Sequence, residues 1–348
     1  MNYFRSYKKK STPLKNFMSI VIVLAIIIFV VVVYGKKTIS EDLNEGINAV
    51  NMIENTSRFI VGVSKDNIIA TGETSVWGSG IIVSKQGLIL TNSHVGGTKD
   101  SICYVVFDSK NYYEGKVVWS NEILDLSIVK LDLEFADCIS IKEDNQIKVG
   151  QEVYGIGNPI NINFQKTVSK GIISGLNRNL EFDEQGEKFY MNNLIQTDAA
   201  INYGSSGGAL VDENGNLIGV NTIKITDATL MGFAIPIDVV IPVIDKLEQN
   251  KNFEEARLKI WCYDKFYIDE SNSTKKFDSG VMVAKIEENS NAEKAGLRVG
   301  DVIKYIDTNE INTVLGFKKS ILERNIGDNV ILKVERNNKE ILINVELE

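Results

Sequence analysis

The sequence contains little histidine and cysteine, and each shortage excludes a class of site. Its 348 residues include one histidine and three cysteines. A zinc or di-metal site usually takes two or more imidazole ligands, so a single histidine removes most of that chemistry. The cysteines are odd in number and form no CxxC motif, which argues against a disulfide framework and a thiolate metal site: they are Cys103, Cys138 and Cys262. We therefore expect no metal, no cofactor and three small buried thiols.

Acidic residues are absent from the first 37 positions, which carry seven basic ones. Because the whole chain has a net charge of −8, the remaining residues carry −15. A body of that sign does not suit the nucleic-acid backbone, which binds to clusters of Lys and Arg. We therefore expect no nucleic acid as a partner.

One long run without charge lies near the N-terminus. It spans Phe17–Tyr34 and is rich in Ile and Val, and as a helix it would be about 27 Å long, enough to cross a hydrocarbon core. Five basic residues precede it and two follow, so the positive-inside rule leaves the N-terminus in the cytoplasm. A cleaved signal peptide is the alternative, but Val33–Lys37 offers a poor small-x-small cleavage site.

These features predict how the N-terminal region is organised. We expect a cytoplasmic basic segment over residues 1–16, a transmembrane signal anchor over residues 17–34 and a linker over residues 35–55. The protein would then cross a bacterial cell membrane once, with its folded part outside the cytoplasm.

Residues 56–250 consist largely of short β-type runs broken by Gly, Asn and Asp. Examples are Phe59–Val63, Gly80–Val83, Leu88–Leu90, Val117–Trp119 and Leu217–Val220. Many short strands at this spacing are typical of an antiparallel barrel or sandwich. The hydrophobic period becomes helical over Ile237–Gln249, and a charged linker follows.

Residues 256–348 form a second predicted unit. Val314–Arg324 has a helical period. Strands are predicted at Val281–Ile286, Asp301–Ile306, Val330–Val334 and Ile341–Leu347. Several short strands with one clear helix favour a small α+β module.

Three short patterns in the β-rich region together suggest nucleophilic catalysis. His94 follows a predicted strand, Asp125 opens another, and Ser206 lies in a glycine-rich loop. A serine hydroxyl needs a neutral imidazole to take its proton, and the imidazole needs a carboxylate to fix its tautomer. Glycines beside the serine let the backbone N–H groups of Gly204 and Ser206 point at a developing oxyanion. Each pattern alone is weak, since Gly-Ser-Ser-Gly-Gly also suits a flexible turn, but their joint occurrence in this order favours a serine hydrolase.

Further motifs extend the pattern from about residue 55 to the C-terminus. They are Gly78–Ile82, Gly155–Pro159, Thr167–Ser174, Gln196–Asn202, Gly232–Pro236 and Ala292–Ile303. Together with the three patterns above, they resemble the signatures of the HtrA/Deg (DegP-like) family, which are trypsin-fold serine proteases with a C-terminal PDZ domain. The resemblance implies a mainly β fold: a trypsin-like double six-stranded antiparallel β-barrel over residues 56–250 and a small α+β PDZ domain over residues 256–348.

The resemblance also implies which residues carry the reaction. The family's triad maps onto His94, Asp125 and Ser206, and its oxyanion donors map onto the backbone of Gly204 and Ser206. Two further positions are implied to line the substrate pocket: Ile201 and Leu230. Because both are apolar, we expect cleavage after Val, Ala or a similar aliphatic residue.

Regulation and peptide binding follow from the same resemblance. Residues Asn177–Asn193 correspond to a sensor loop in which Arg178 couples ligand binding to the active site. The loop that binds peptide C-termini in PDZ domains corresponds to Leu258, Lys259 and Ile260, with Lys259 in place of the usual glycine. Family members act on unfolded or damaged proteins and assemble as trimers, which implies a homotrimer.

Two departures from the family pattern lie beside the nucleophile and leave alternatives open. Ser205 stands where the family usually has Asn, and Tyr203 where it often has Pro or Arg. Neither change removes a catalytic group, but both lie in the loop that forms the oxyanion hole. A weakly active chaperone or scaffold of the same fold, or a tethered PDZ binding module, are therefore the alternatives to a protease.

Overall fold

A computed structural model describes most of the chain beyond residue 47. The described ranges are residues 48–66, 78–108, 111–142, 146–158, 164–184, 187–224, 230–249, 253–266 and 277–348, with five single positions between 18 and 29. No helix within them is long and apolar enough to cross a bilayer. The basic segment, most of the predicted span at residues 17–34 and most of the linker lie outside the described residues, so they stay predictions. Residues 53–348 form one compact unit, and described residues 48–57 are helical.

The first six strands close into a barrel in the order β1-β2-β3-β6-β5-β4. They are β1 Ile60–Ser64, β2 Gly78–Ile82, β3 Leu88–Thr91, β4 Ile102–Val106, β5 Tyr112–Asn121 and β6 Leu126–Lys130. Every residue of β1, β2 and β3 is buried, as expected for runs of Ile, Leu and Val in a closed sheet. Closure leaves no unpaired edge strand in this barrel.

The next six strands close into a second barrel in the order β10-β11-β12-β9-β8-β7. They are β7 Glu152–Gly157, β8 Thr167–Glu184, β9 Glu187–Thr197, β10 Ala209–Asp212, β11 Leu217–Lys224 and β12 Gly232–Pro236. The predicted pair of six-stranded antiparallel barrels is therefore confirmed. A 3₁₀ turn (Ile237–Val239) then leads into the helix that follows, which begins later than the periodicity suggested, at Ile241.

In the segment predicted as a sensor loop, Asn177–Asn193, the described residues 177–184 and 187–193 are strands rather than a loop. β8 and β9 continue past the barrel as a two-stranded ribbon, with Arg178 opposite Leu194 and Glu184 opposite Glu187. Register shifts interrupt the pairing near Gly175 and Arg178. The family resemblance implied a loop, but backbone pairing across the ribbon holds the described residues as strands.

Four α-helices are defined in the described chain beyond residue 57: α1 Ser93–Gly96, α2 Ile241–Gln249, α3 Asn291–Lys294 and α4 Val314–Leu322. Helices α3 and α4 belong to the C-terminal module. The strands of its sheet are β13 Ile260–Asp264, β14 Val281–Ile286, β15 Val302–Ile306, β16 Asn309–Glu310, β17 Asn329–Arg336 and β18 Lys339–Glu346. The strand order is β13-β14-β15-β17-β18, with β16 beside β15, so the predicted α+β module is confirmed. Helix α4 begins where predicted because the Thr313 hydroxyl caps it by accepting from the Gly316 amide at 3.0 Å.

The C-terminal module contacts the second barrel through a buried carboxylate. Asp264, at the end of β13, accepts from Asn193 Nδ2 at 2.8 Å and from the Val314 amide at 2.9 Å. Asn193 Oδ1 in turn accepts from the Leu315 amide at 3.1 Å. One side chain of the β8–β9 ribbon is therefore bonded to both β13 and the start of α4.

The three cysteines are unpaired thiols, but only one is fully buried. Cys103 lies inside the first barrel, where burial raises its pKa to about 12. Cys138 and Cys262 are half-buried, so the expectation of three buried thiols is wrong for these two. Apolar neighbours in sequence did not place them in a core, because Cys138 follows the first barrel's last strand and Cys262 is on an edge strand of its sheet.

Candidate active site

The pairing of β3 with β6 brings His94 and Asp125 together. Thr91 lies opposite Ser127 in this pair; the histidine follows the end of β3 on α1, and the aspartate precedes β6. His94 Nδ1 lies 2.9 Å from each carboxylate oxygen of Asp125. The imidazole side chain is 51% exposed and the carboxylate 15%, so the ring faces solvent while its partner is enclosed.

Three further donors hold the Asp125 carboxylate in place. The Ser93 hydroxyl and the His94 amide each donate to Oδ1 at 3.1 Å. The Thr222 hydroxyl donates to Oδ2 at 3.0 Å. Such charge-assisted hydrogen bonds are stronger than neutral ones, and they leave the carboxylate little freedom to turn away from the imidazole. Asp125 itself has φ +51°, a left-handed conformation that Asp tolerates better than most residues.

Ser206 reaches the same place from the second barrel. It lies three residues before Ala209, which pairs with Val220 on β11, so antiparallel register places it beside Thr222. The Ser206 hydroxyl donates to the Thr222 carbonyl at 3.0 Å and, among the described residues, makes no hydrogen bond to His94. Thr222 thus contacts both Asp125, through its hydroxyl, and Ser206, through its carbonyl.

The loop before Ser206 is held from both barrels. The Ser79 hydroxyl donates to the Gly204 carbonyl at 2.7 Å and accepts from the Asn158 amide at 2.8 Å. The Ser206 carbonyl accepts from the Ser79 amide at 2.7 Å. Within the described chain, the amides of Gly204 and Ser206 donate to no backbone carbonyl. Two N–H groups are therefore free for a substrate oxygen, the requirement of an oxyanion hole.

Two glycines in this loop adopt backbone conformations that favour glycine. Gly204 has φ +87° and Gly207 has φ +82°, a region that side chains rarely adopt. At Gly207 a Cβ atom would also lie 2.1 Å from the Ser79 carbonyl oxygen. Ser205, between them, is buried, and a Cβ on Gly157 would meet its Cα at 2.9 Å. The departure at Ser205 therefore fills a tight space against β7.

The two predicted pocket residues lie near each other but in different environments. Ile201 is buried, and a Cβ on Gly232 would meet its side chain at 2.5 Å. Leu230, two residues before Gly232, is 63% exposed and has φ +57°. Ile201 can form an apolar floor, and Leu230 is exposed at the surface.

Arg178 lies on β8 rather than in a loop. Its Nε donates to Gln196 Oε1 at 2.9 Å, and a Cβ on Gly175 would meet the guanidinium at 2.6 to 2.9 Å. Gln196 is on β9, the strand that leads into the Ser206 loop. The structure brings Arg178 to that strand, not to the triad itself.

The residues of the expected carboxylate-binding loop lie at the start of β13. Leu258 is buried in the module's core, and Ile260 opens the strand. Lys259 has φ +53°, the conformation that explains the glycine usual at this position. Its ammonium lies 3.1 Å from a carboxylate oxygen of Glu348 and 4.0 Å from one of Glu287, so it is turned to neighbouring acids.

Two residues of the site were missed by sequence reasoning. Ser79 lies in the Gly78–Ile82 motif, so that motif was a usable signal. Thr222 lies in no motif that sets it apart from other strand residues, and only the β10–β11 pairing gives it a role.

Comparison with known proteins matches the two halves of this architecture. Residues 78–220 match a family model described as a trypsin-like peptidase domain, and residues 218–347 match one described as a PDZ domain. The serine protease Do-like HtrB of Bacillus subtilis (strain 168) is 31% identical over 328 residues, covering 86% of this chain and 70% of that protein. The chain belongs to the HtrA-type serine protease family. It is a serine endopeptidase with a C-terminal PDZ domain.

Other relatives agree with this placement. The serine protease HtrA-like of Staphylococcus aureus (strain MRSA252) is 31% identical over 327 residues, covering 89% of this chain and 42% of that protein. Among solved structures, the HtrA-type protease AlgW with a tripeptide matches with TM-score 0.62 and 28% identity, covering 86% of this chain and 96% of that one. The serine endoprotease from Yersinia pestis matches with TM-score 0.57 and 28% identity, covering 85% and 96%. The family model for the PDZ domain starts within β11, whereas the sheet of the HtrA-type module begins at β13.

Proposed function

We propose that this HtrA-type protease is a membrane-anchored endopeptidase that degrades misfolded or damaged exported proteins, with Ser206 as nucleophile. The main support for these roles is that Thr222 hydrogen-bonds both Asp125 and Ser206 at 3.0 Å. Because Asp125 also contacts His94, the three predicted residues lie in one site. His94, the only histidine of the chain, is the general base, and Asp125 orients it.

The reaction is acyl transfer in two halves. His94 Nε2 takes the proton of Ser206 as its oxygen attacks the substrate carbonyl carbon, and the oxyanion is received by the amides of Gly204 and Ser206. The histidinium then gives its proton to the leaving amine, and water releases the acyl group by the same steps. Before attack, the Ser206 hydroxyl must leave the Thr222 carbonyl and turn to His94, a rotation between staggered χ1 positions. Catalytic hydrogen bonds often tighten only when substrate is bound.

The substrate pocket is proposed to take a small aliphatic side chain. Ile201 supplies an apolar floor and Leu230 an apolar side chain at the surface. Neither of these two residues is an acid that could pair with a basic substrate side chain. A peptide library cleaved after Val or Ala supports this assignment. Cleavage after Lys or Arg would contradict it.

The PDZ domain is proposed to bind peptide C-termini. Its strand β13 is at the edge of the sheet, where an added peptide strand can pair with it, and the related AlgW has been solved with a tripeptide and with a decapeptide. We also propose a homotrimer, on the basis of the family resemblance. The Phe17–Tyr34 run supports a single membrane span, with the catalytic part outside a bacterial cell membrane.

An active-site-directed fluorophosphonate tests the nucleophile. We expect the wild-type chain to be labelled and the Ser206→Ala chain to remain unlabelled. Ser140→Ala is the matched control, because this serine is exposed and its hydroxyl donates to Asn216 Oδ1 at 2.8 Å; its labelling should equal that of the wild type. An unlabelled wild-type chain would favour the second candidate, a weakly active chaperone or scaffold, which the hydrogen bond between Ser206 and Thr222 also suits.

A further inference from the structure

A groove separates β13 from α4 in the PDZ domain. Its volume is about 680 Å³. Its walls are largely apolar, with contributions from Leu258, Ile260, Phe317 and Ile321. The turn that precedes Asp125 closes a third side, since Ile123 and Leu124 also line it. A ligand in this groove would contact the first barrel as well as the PDZ domain.

One cation in this groove makes no close ion pair. Lys318 of α4 is half-buried and forms no ion pair with any carboxylate of the described chain. The other titratable groups that line the groove are Lys99, Glu122, Glu255, Arg257, Lys259 and Glu287.

Glu255 attracts Lys318 and opposes the fall of its pKa, but other groups already hold this carboxylate. Glu255 accepts from Trp119 Nε1 at 2.9 Å and from Asn121 Nδ2 at 3.0 Å, and Arg257 lies 3.8 Å from it. Cys262 faces the lysine from β13, but burial raises the pKa of that thiol to about 12, so it supplies no charge. Burial correspondingly lowers the pKa of Lys318 to about 8. A half-buried ammonium without a direct ion pair is costly, and an incoming carboxylate would lower that cost.

The position of the lysine along the groove indicates which ligand residue meets it. Cys262 is two residues beyond Ile260 on β13, so a ligand side chain facing it is two residues from one facing Ile260. On α4, Lys318 precedes Ile321 by three residues, about 4.5 Å along the helix axis. Both β13 and α4 therefore place the ligand side chain that meets Lys318 one to two residues from the ligand side chain that meets Ile260 and Ile321.

We infer that the groove binds an extended peptide C-terminus with an apolar last residue and an acidic side chain at the third residue from the end, which pairs with Lys318. The inference rests on the proposed peptide binding by the PDZ domain and adds its charge specificity. Glu or Asp at that position would be selected over Gln, Ala or Lys.

Fluorescein-labelled decapeptides test this by fluorescence polarisation. Two peptides would end in Val and differ only in Glu or Gln at the third residue from the end, and a Ser206→Ala background of the full chain would keep them intact. We expect the Glu peptide to bind about tenfold more tightly, the size expected of one hydrogen bond to a charged group. Lys318→Met should remove the preference and Lys318→Arg should keep it. Lys319→Met, the adjacent lysine of α4, is the matched control and should leave the preference unchanged.

A pH series gives a second readout that a purely structural role of Lys318 would not produce. The ammonium is present below its pKa and is lost as the pH rises through it, and a bound carboxylate shifts that loss to higher pH. The preference for Glu should therefore be full at pH 7 and should fall once the pH passes about 8.

The possible failures can be told apart. Equal affinity for Glu and Gln, or a preference that persists in Lys318→Met, would overturn the charge assignment alone. If neither peptide binds, both this inference and the proposed peptide binding fail, whereas fluorophosphonate labelling of Ser206 still decides the protease function.

Discussion

Replacement of Thr222 by valine is the sharpest test of how the two barrels assemble the active site. Valine keeps the shape of threonine and the backbone carbonyl that accepts from Ser206, but it removes the hydroxyl that donates to Asp125 at 3.0 Å. A hydrogen bond to a charged group contributes about 1.5 to 3 kcal/mol. Ser93 and His94 still hold the carboxylate, so we expect the lower end, a loss of about tenfold in kcat/KM.

The assay is hydrolysis of a fluorogenic peptide together with the second-order rate of fluorophosphonate labelling, each compared with the thermal midpoint. Thr222→Ser retains the donor and should restore both rates to within about twofold of the wild type, since its hydroxyl can make the same bond. Unchanged rates in Thr222→Val would refute the positioning role. A loss that follows the thermal midpoint and is not rescued by serine would show a structural effect instead.

Two predictions concern stability. Gly207→Ala should cost at least about 3 kcal/mol, because its φ is +82° and the new Cβ would lie 2.1 Å from the Ser79 carbonyl oxygen; thermal unfolding measures this. Gly327→Ala is its control, since φ there is +87° but no atom lies within 4 Å, and an equal loss in both would contradict the clash. Asp301→Asn should destabilise the PDZ domain by about 3 kcal/mol in urea unfolding, because the buried carboxylate holds Arg336 at 2.6 and 2.7 Å; a change under about 0.5 kcal/mol, typical of a surface site, would refute this.

The loop around Ser206 shows what a sequence can and cannot predict about a site. Glycine-rich spacing predicted a tight loop, and the positive φ angles of Gly204 and Gly207 agree with that. The spacing could not predict that Ser79, more than a hundred residues earlier, bonds the Gly204 carbonyl. Contacts between distant segments depend on how two barrels pack, which local propensity does not encode.

The sequence by itself determined a β-rich region of barrel or sandwich type, the C-terminal α+β module and the candidates His94, Asp125 and Ser206, because periodicity, turn residues and the chemistry of each side chain are local properties. The pair of six-stranded barrels was implied by the family resemblance. Only the tertiary structure decided that Arg178 lies on a paired ribbon and that Thr222 joins Asp125 to Ser206. It also decided that Lys318 lies half-buried in a groove without a direct ion pair. These features arise from strand register and from burial, and both become defined only when residues far apart in the chain pack together.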